Sequence, residues 1–345
     1  MDYPDEYVYD YNYSYDGNVT ITEESVFQHR SMCLKEVLCV SLLVISVLIF
    51  LLGFCGNALV IWISGFKMKK TVNTTWYLSL AISDFVFCAF LPFSITSMAM
   101  EDWVFGHFMC KFASSIMFLN MFSSIFLLVI ISVDRFVSVV FPVWAQNHRT
   151  IQKASVIVVL AWLMAISLSI PSVVFRDTGS HLGRTICFNN YTSYQHSHKI
   201  IALSRLLAGF IVPFVIIIIC YSIIILKLRT NRMTKSSKPF KVMTALIAAF
   251  FICWLPYHVF VLLELDHQNY SHSILSTGLK VGTSLAAANS FLNPVLYVFM
   301  GNDFKRKFKN SVLSKMENAM ADEGRTTSRY LSRSSSMDGR ASTHI

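Results

Sequence analysis

In "IISVDRFVSVVFP" two opposite charges, Asp134 and Arg135, stand side by side at the end of a long apolar run. A charge in such surroundings is costly unless it faces protein or water, so the pair reads as two groups that can hold and release one another. Asp84, in "LSLAISDF", is a lone acid inside another apolar run. Polar side chains at helical spacing are available to it: Asn57, then Asn120 with Ser124 one turn on, then Asn289 with Asn293 one turn on. Several oxygens around one carboxylate suit a small hard cation, most simply sodium. The same amides serve equally well as hydrogen-bonding glue between helices. Arg205 is the corresponding lone cation. Its natural partner is a carboxylate, which a guanidinium meets with two charge-assisted bonds. Arg176 and Lys280 extend this basic character, although lysine in particular can snorkel to an interface, and Glu264 offers a counter-charge to a cationic group.

The elements that must position these residues follow from composition. Of 345 residues, 54% are hydrophobic and 14% charged, too apolar for an ordinary soluble surface. About 20 helical residues cross the hydrocarbon of a bilayer. Seven nearly uncharged windows meet that length: Val37–Phe66, Thr71–Met100, Phe112–Val133, Ala154–Phe175, Ile200–Leu226, Val242–Leu263 and Val281–Asn302. They are too long for the strands of a membrane barrel. The expected fold is therefore an all-α membrane bundle of seven transmembrane helices at 36–301. An acidic, Tyr-rich tail (1–35) precedes it, and a short amphipathic helix (302–316) and a Ser/Thr-rich tail (317–345) follow. Arg205 then falls about a turn and a half into the fifth helix from Ile200.

Orientation rests on "FKMKK", "KLRTNRMTKSSKPFK" and "DFKRKFK", which alternation places on one side; Lys and Arg mark that side as cytoplasmic. The first 29 residues carry seven acids and no Lys or Arg, which puts the N-terminus outside. No basic region precedes an apolar one, so no cleavable signal is expected. The sequons at Asn12, Asn18, Asn190 and Asn269 then lie outside, where glycosylation is possible, and that at Asn73 lies inside. Cys110 and Cys187 sit on the oxidising side and are expected to pair. Cys39, Cys55, Cys88, Cys220 and Cys253 read as free apolar fillers within helices, and Cys33 finds no evident partner. Neither H-E-x-x-H nor G-x-S-x-G occurs, so an enzyme is not expected. A transporter would need a continuous polar path. The net charge of +9 gathers on the cytoplasmic side. Lipid and an intracellular partner account for it, without nucleic acid.

Pro213, Pro256 and Pro294, the last two in "CWLPYH" and "NPVLY", fall inside helices and weaken their ladders, which makes hinges. Together with "GNALV", "LAISD", the two cysteines, "DRF", Trp162, Pro213 and Tyr221, they stand in the order and spacing of a rhodopsin-like (class A) G-protein-coupled receptor, which the chain resembles over all seven helices. The resemblance implies that Asp134 holds Arg135 at rest, and that activation frees Arg135 as the sixth helix swings on Pro256. Trp254, Tyr221, Asn293, Pro294 and Tyr297 are the other expected switch residues, with an allosteric sodium at Asp84, Asn120, Ser124, Asn289 and Asn293. Phe136 stands where the family usually has Tyr, and no acid occurs in 231–241 to restrain Arg135 from the sixth helix. No Cys follows the amphipathic helix, so Phe304 and Phe308 must hold it to the membrane.

Retinal is excluded by the lack of lysine deep in the seventh window, and amines by the lack of an acid between Lys111 and Val133. "WVFG", "PVWAQNHR", "VVFRDT" and "CWLPYHVFVLLEL" resemble chemoattractant peptide receptors, nearest the chemerin-receptor group. That implies a plasma-membrane receptor for a chemerin-like protein. Arg205, Arg176, Glu264 and Lys280 would bind the ligand, and signalling would run through an inhibitory-class G protein to calcium release, lowered cyclic AMP and leukocyte chemotaxis in inflammation. Arrestin would bind the phosphorylated tail. Six tyrosines interleaved with acids in "MDYPDEYVYDYNYSYDG" would, if sulfated, catch a basic protein. Formyl peptides, complement fragments and carboxylate lipid mediators of the resolvin kind remain open as ligands.

Overall fold

Long apolar segments form helices because a backbone in lipid must satisfy its own hydrogen bonds. The computed structural model describes residues 36–181, 183–191, 195–230 and 238–300. Its helices are α1 (Val37–Trp62), α2 (Val72–Met100), α3 (Gly106–Val140), the short α4 (Pro142–His148) and α5 (Ile151–Phe175), followed by α6 (Gln195–Leu206), α7 (Val212–Thr230), α8 (Lys238–Glu264) and α9 (His272–Met300). A π-helical turn, Leu207–Ile211, fuses α6 to α7, so that Ser197–Thr230 is one span; six spans are long and apolar enough to cross a membrane. With α9, which packs against α8 and α1, the bundle has seven membrane helices, as the sequence predicts.

The α3 span is the central one. Its most apolar window is 67% buried, against 17% for α1, and it packs on α2, α5 and α7. Phe122, Ile125, Leu127 and Ile131 of α3 meet Leu80 of α2 and Phe250 and Trp254 of α8 in one core. The lipid-facing helices instead expose Leu, Ile and Val, as a bilayer solvent allows.

Proline effects are resolved locally. Pro294 cannot donate to the carbonyl of Ser290 one turn earlier, and Asn57 Nδ2 supplies that bond from α1 at 2.8 Å. Close approach makes this possible, since a Cβ on Gly56 would lie 2.9 Å from Pro294 Cγ. Four residues before Pro213, the freed carbonyl falls in the π turn, a common accommodation of such a break. Gly282 lets α9 reach α8, because a Cβ there would stand 2.9 Å from the Tyr257 backbone.

Several expectations need correcting. Helices outrun the apolar windows: α3 extends by six residues at its start and seven at its end, and α9 begins nine residues before Val281. Polar ends continue the helix beyond the hydrocarbon, where a hydropathy window stops. Arg205 therefore lies about 15 Å along α6 from its start at Gln195, deeper than a turn and a half. The segment after α5 is not simply a loop. It is an antiparallel hairpin, β1 (Arg176–His181) with β2 (Arg184–Asn189), that registers Thr178 against Cys187. Cys39 is disulfide-bonded rather than a free filler. The tails 1–35, 302–316 and 317–345, with Asn12, Asn18, Cys33, Phe304 and Phe308, and the side chains of Tyr297 and His196, lie outside the described residues.

Candidate functional site

The hairpin closes one end of the bundle. Cys187 is bonded to Cys110 of α3, as expected from the sequence. Trp103 N donates to Thr185 O at 2.8 Å and Trp103 Nε1 to Gly106 O at 2.8 Å, so "WVFG" stitches β2 to the start of α3. Asp177 accepts from Asn190 Nδ2 at 3.1 Å and from Thr178 N at 2.8 Å. These bonds, the Asn190 amide first, hold its carboxyl below the usual range. Asn190 thus commits an amide proton within the fold, while Asn269, the other described sequon among those expected outside, bonds to the Asp266 carboxylate at 2.9 Å.

Beneath the hairpin are the two predicted arginines. Arg205 is buried, donates to Ser172 Oγ at 2.9 Å, and lays its guanidinium over the Phe118 ring at 3.6 Å. Its Nε has no partner. Arg176 caps α5, donating through Nε to Ser114 Oγ at 2.8 Å and through Nη1 to Asn189 Oδ1 at 3.3 Å. Withdrawal from solvent holds its pKa below the usual value, against the opposing influence of Tyr257, Tyr191 and Glu264. Among the described residues no carboxylate lies within ion-pair distance of either arginine; both rest on neutral oxygens. Glu264 faces His198 at 3.9 Å, and His198 stacks on Tyr191 at 4.5 Å. Lys280 is exposed in the third turn of α9. By helical spacing it shares a face with Ser284 and Ala287, and Ala287 packs in a cluster with Leu91 and Ile116 of α2 and α3. The sequence missed Ser114, Ser172, Phe118 and Tyr191, whose types are ordinary and whose relevance comes from position alone.

Mid-bundle, Asp84 is fully buried. Its two oxygens accept from Asn120 Nδ2 at 2.9 Å and Asn293 Nδ2 at 2.7 Å. Ser290 Oγ donates to Asn120 Oδ1 at 3.3 Å. The remaining two members of the expected cation set, Ser124 and Asn289, are buried with Oγ and Oδ1 unpartnered. Oxygens of these types and the Asp84 carboxylate would suit a small cation, while Asn120 and Asn293 orient the carboxylate through N–H. Asn57 makes no hydrogen bond to Asp84, its Nδ2 being committed to the Ser290 and Gly53 carbonyls.

One turn above the buried Trp254 lies Tyr257, edge-on at 5.7 Å, with Phe118 6.2 Å beyond it. Rings therefore run without a break from Arg205 to the helix that carries Pro256. Tyr221 on α7 sets its hydroxyl beside Thr244 of α8.

At the opposite end Arg135 Nη2 donates to Asp134 Oδ2 at 2.9 Å, the pair the sequence predicts. The structure adds Arg149 and Asn73. Arg149 donates from Nε to Asp134 Oδ1 at 2.6 Å and from Nη2 to Oδ2 at 2.9 Å. Asn73 Oδ1 accepts from both arginines.

A seven-helix bundle closed by a disulfide-anchored hairpin, with an Asp–Arg pair at its far end, defines a membrane receptor of one class. The chain belongs to the seven-transmembrane receptors of the rhodopsin family, whose family model matches residues 56–297. Within that class it is 47% identical to Chemerin-like receptor 1 of Homo sapiens over 300 residues, 82% of this chain and 80% of the relative. It is 45% identical to Chemerin-like receptor 1 of Rattus norvegicus over 341 residues, 93% of this chain and 90% of the relative. Chemerin-like receptor 2 of Homo sapiens shares 38% over 309 residues, 87% of this chain and 86% of the relative. It is a multi-pass G-protein-coupled receptor of the chemerin-receptor family, and not an enzyme.

Proposed function

We propose that this receptor binds a chemerin-like protein whose C-terminal carboxylate seats between Arg205 and Arg176. The observation that carries the reading is two arginines in a partly desolvated site with neutral partners only. Two guanidinium groups so placed attract an anion, and the names of the relatives point to chemerin. Lys280 at the mouth steers the acid, and Glu264 meets a cationic group. Formyl peptides, complement fragments and carboxylate lipids are the competing guests. The test is calcium release and cyclic AMP in cells given chemerin's C-terminal peptide as free acid or amide, with a formyl peptide and a resolvin-type lipid as controls. The free acid should act at least tenfold more potently than the amide on wild type, and about equally with it on Arg205→Gln. Equal potency on wild type overturns the reading.

From that site the aromatic path Phe118, Tyr257, Trp254 leads to α8, whose outward swing at Pro256 would free Arg135 from Asp134 and admit an inhibitory-class G protein. Tyr221, Asn293, Pro294 and Tyr297 take part in the rearrangement. Sodium at Asp84, Ser124 and Asn289, backed by Asn120 and Asn293, would favour the resting arrangement and oppose agonist.

The hairpin end faces outward at the plasma membrane, with 1–35 as an acidic arm for a basic ligand. Residues 317–345 receive phosphate, which adds about −1.5 to −2 charge each, and recruit arrestin. Truncation after Asp322 should leave first-minute signalling unchanged and slow ligand-driven internalisation. Equal uptake at matched surface expression would move the arrestin site to the loop before α8.

A further inference from the structure

The carboxylate of Asp134 is shared unequally. Arg149 grips it with a two-pronged fork, one bond to each oxygen at 2.6 and 2.9 Å, whereas Arg135 makes one bond of 2.9 Å. Arg135 Nε is buried and has no partner. Among the described residues the other acceptor common to the two, Asn73 Oδ1, is likewise divided between them. Three separate elements fix this arrangement. Arg149 caps α4, its N–H donating to Ala145 O at 3.0 Å; Asp134 and Arg135 lie in the last two turns of α3; and Asn73 sits in the first turn of α2, whose cap is Thr71.

We propose that Arg149 is a positioning residue that weakens the hold of Asp134 on Arg135 and keeps Asp134 neutralised after Arg135 leaves. This rests on the reading of Asp134 and Arg135 as the resting-state restraint. Two consequences of removing Arg149 point the same way. At rest, both Asp134 oxygens and the Asn73 oxygen become available to Arg135, whose fork then closes on them. In the active arrangement, Asp134, only 10% exposed, is left as an unpaired buried charge, which is strongly unfavourable. Loss of Arg149 therefore favours the resting state, the opposite of what loosening a loop would do.

The experiment is nucleotide exchange on purified heterotrimers from every G-protein class, catalysed by full-length receptor at matched surface expression, with and without chemerin's C-terminal peptide. Asp134→Asn should raise basal exchange several-fold. Arg149→Gln should lower it at least threefold below wild type and shift any agonist response at least tenfold to higher concentration. Arg149→Lys, which keeps the charge and loses the fork, should fall between. In Asp134→Asn, adding Arg149→Gln should change basal exchange less than twofold, since the effect passes through the carboxylate; a merely structural loop contact would act equally in both backgrounds. Basal exchange by Arg149→Gln at or above wild type overturns the inference. Failure of Asp134→Asn to raise exchange overturns the resting-restraint reading itself, and basal exchange answers both questions without any assumption about the ligand.

Discussion

The two ends of the bundle each concentrate arginine, and they treat it in opposite ways. At the far end, Arg135 and Arg149 are paired with Asp134 and Asn73, all from the chain itself. Under the hairpin, Arg176 and Arg205 rest on serine hydroxyls, an amide oxygen and a phenyl face. A buried guanidinium with neutral partners retains unspent electrostatic attraction, whereas one in an ion pair has spent it. On the proposed function, the first kind of site receives an anion from outside and the second is opened from within.

The largest expected effect comes from removing the unspent charge. Arg205→Gln should weaken binding of the free-acid peptide by about 2–5 kcal/mol, the usual cost of breaking a desolvated charge pair, while leaving the amide almost untouched; equal losses for both would reduce Arg205 to a packing role. Opening the far end should act without ligand, so Asp134→Asn should raise basal exchange several-fold and leave peptide affinity within about threefold of wild type, read by competition binding. Between the ends, raising sodium should weaken agonist binding several-fold in wild type but not in Asp84→Asn. A full sodium effect in that variant would place the ion elsewhere. The smallest effect is at the hairpin rim. The Asp177 carboxyl is held low by Asn190 and Thr178, so its stabilising share is complete above the ordinary carboxylate pKa of about 3.9 and fades as pH falls through the lowered value. The gap in melting temperature between wild type and Asp177→Asn should be fully present at about pH 5 and close as pH falls below about pH 4.

Asp84 shows how far sequence carries. Its isolation in an apolar run points to a polar cluster, and the one-turn spacings Asn120/Ser124 and Asn289/Asn293 contain its two amide partners, Asn120 and Asn293. Asn57 looked equivalent and is not, because Pro294 frees a carbonyl that competes for its amide. Arg205 stands out as a lone cation in an apolar run, yet its partners Ser172 and Phe118 carry no signal that distinguishes them from any serine or phenylalanine of a membrane helix. Arg149, in "QNHRT", reads as one more basic loop residue until α4 turns it back onto Asp134.

The sequence by itself determined the solvent, the number of helices and the charges that could not remain idle in it, because an apolar window and a lone ionised group obey transfer energies that depend on residue type alone. Only the tertiary structure decided which charge meets which. The partners of Asp134 are 1, 15 and, through the arginines shared with Asn73, some 60 residues away in the chain, and those of Arg205 come from α3 and α5. Pairing is set by distance and direction in space, and helices that rotate or bend by a fraction of a turn at a proline change it without altering a residue.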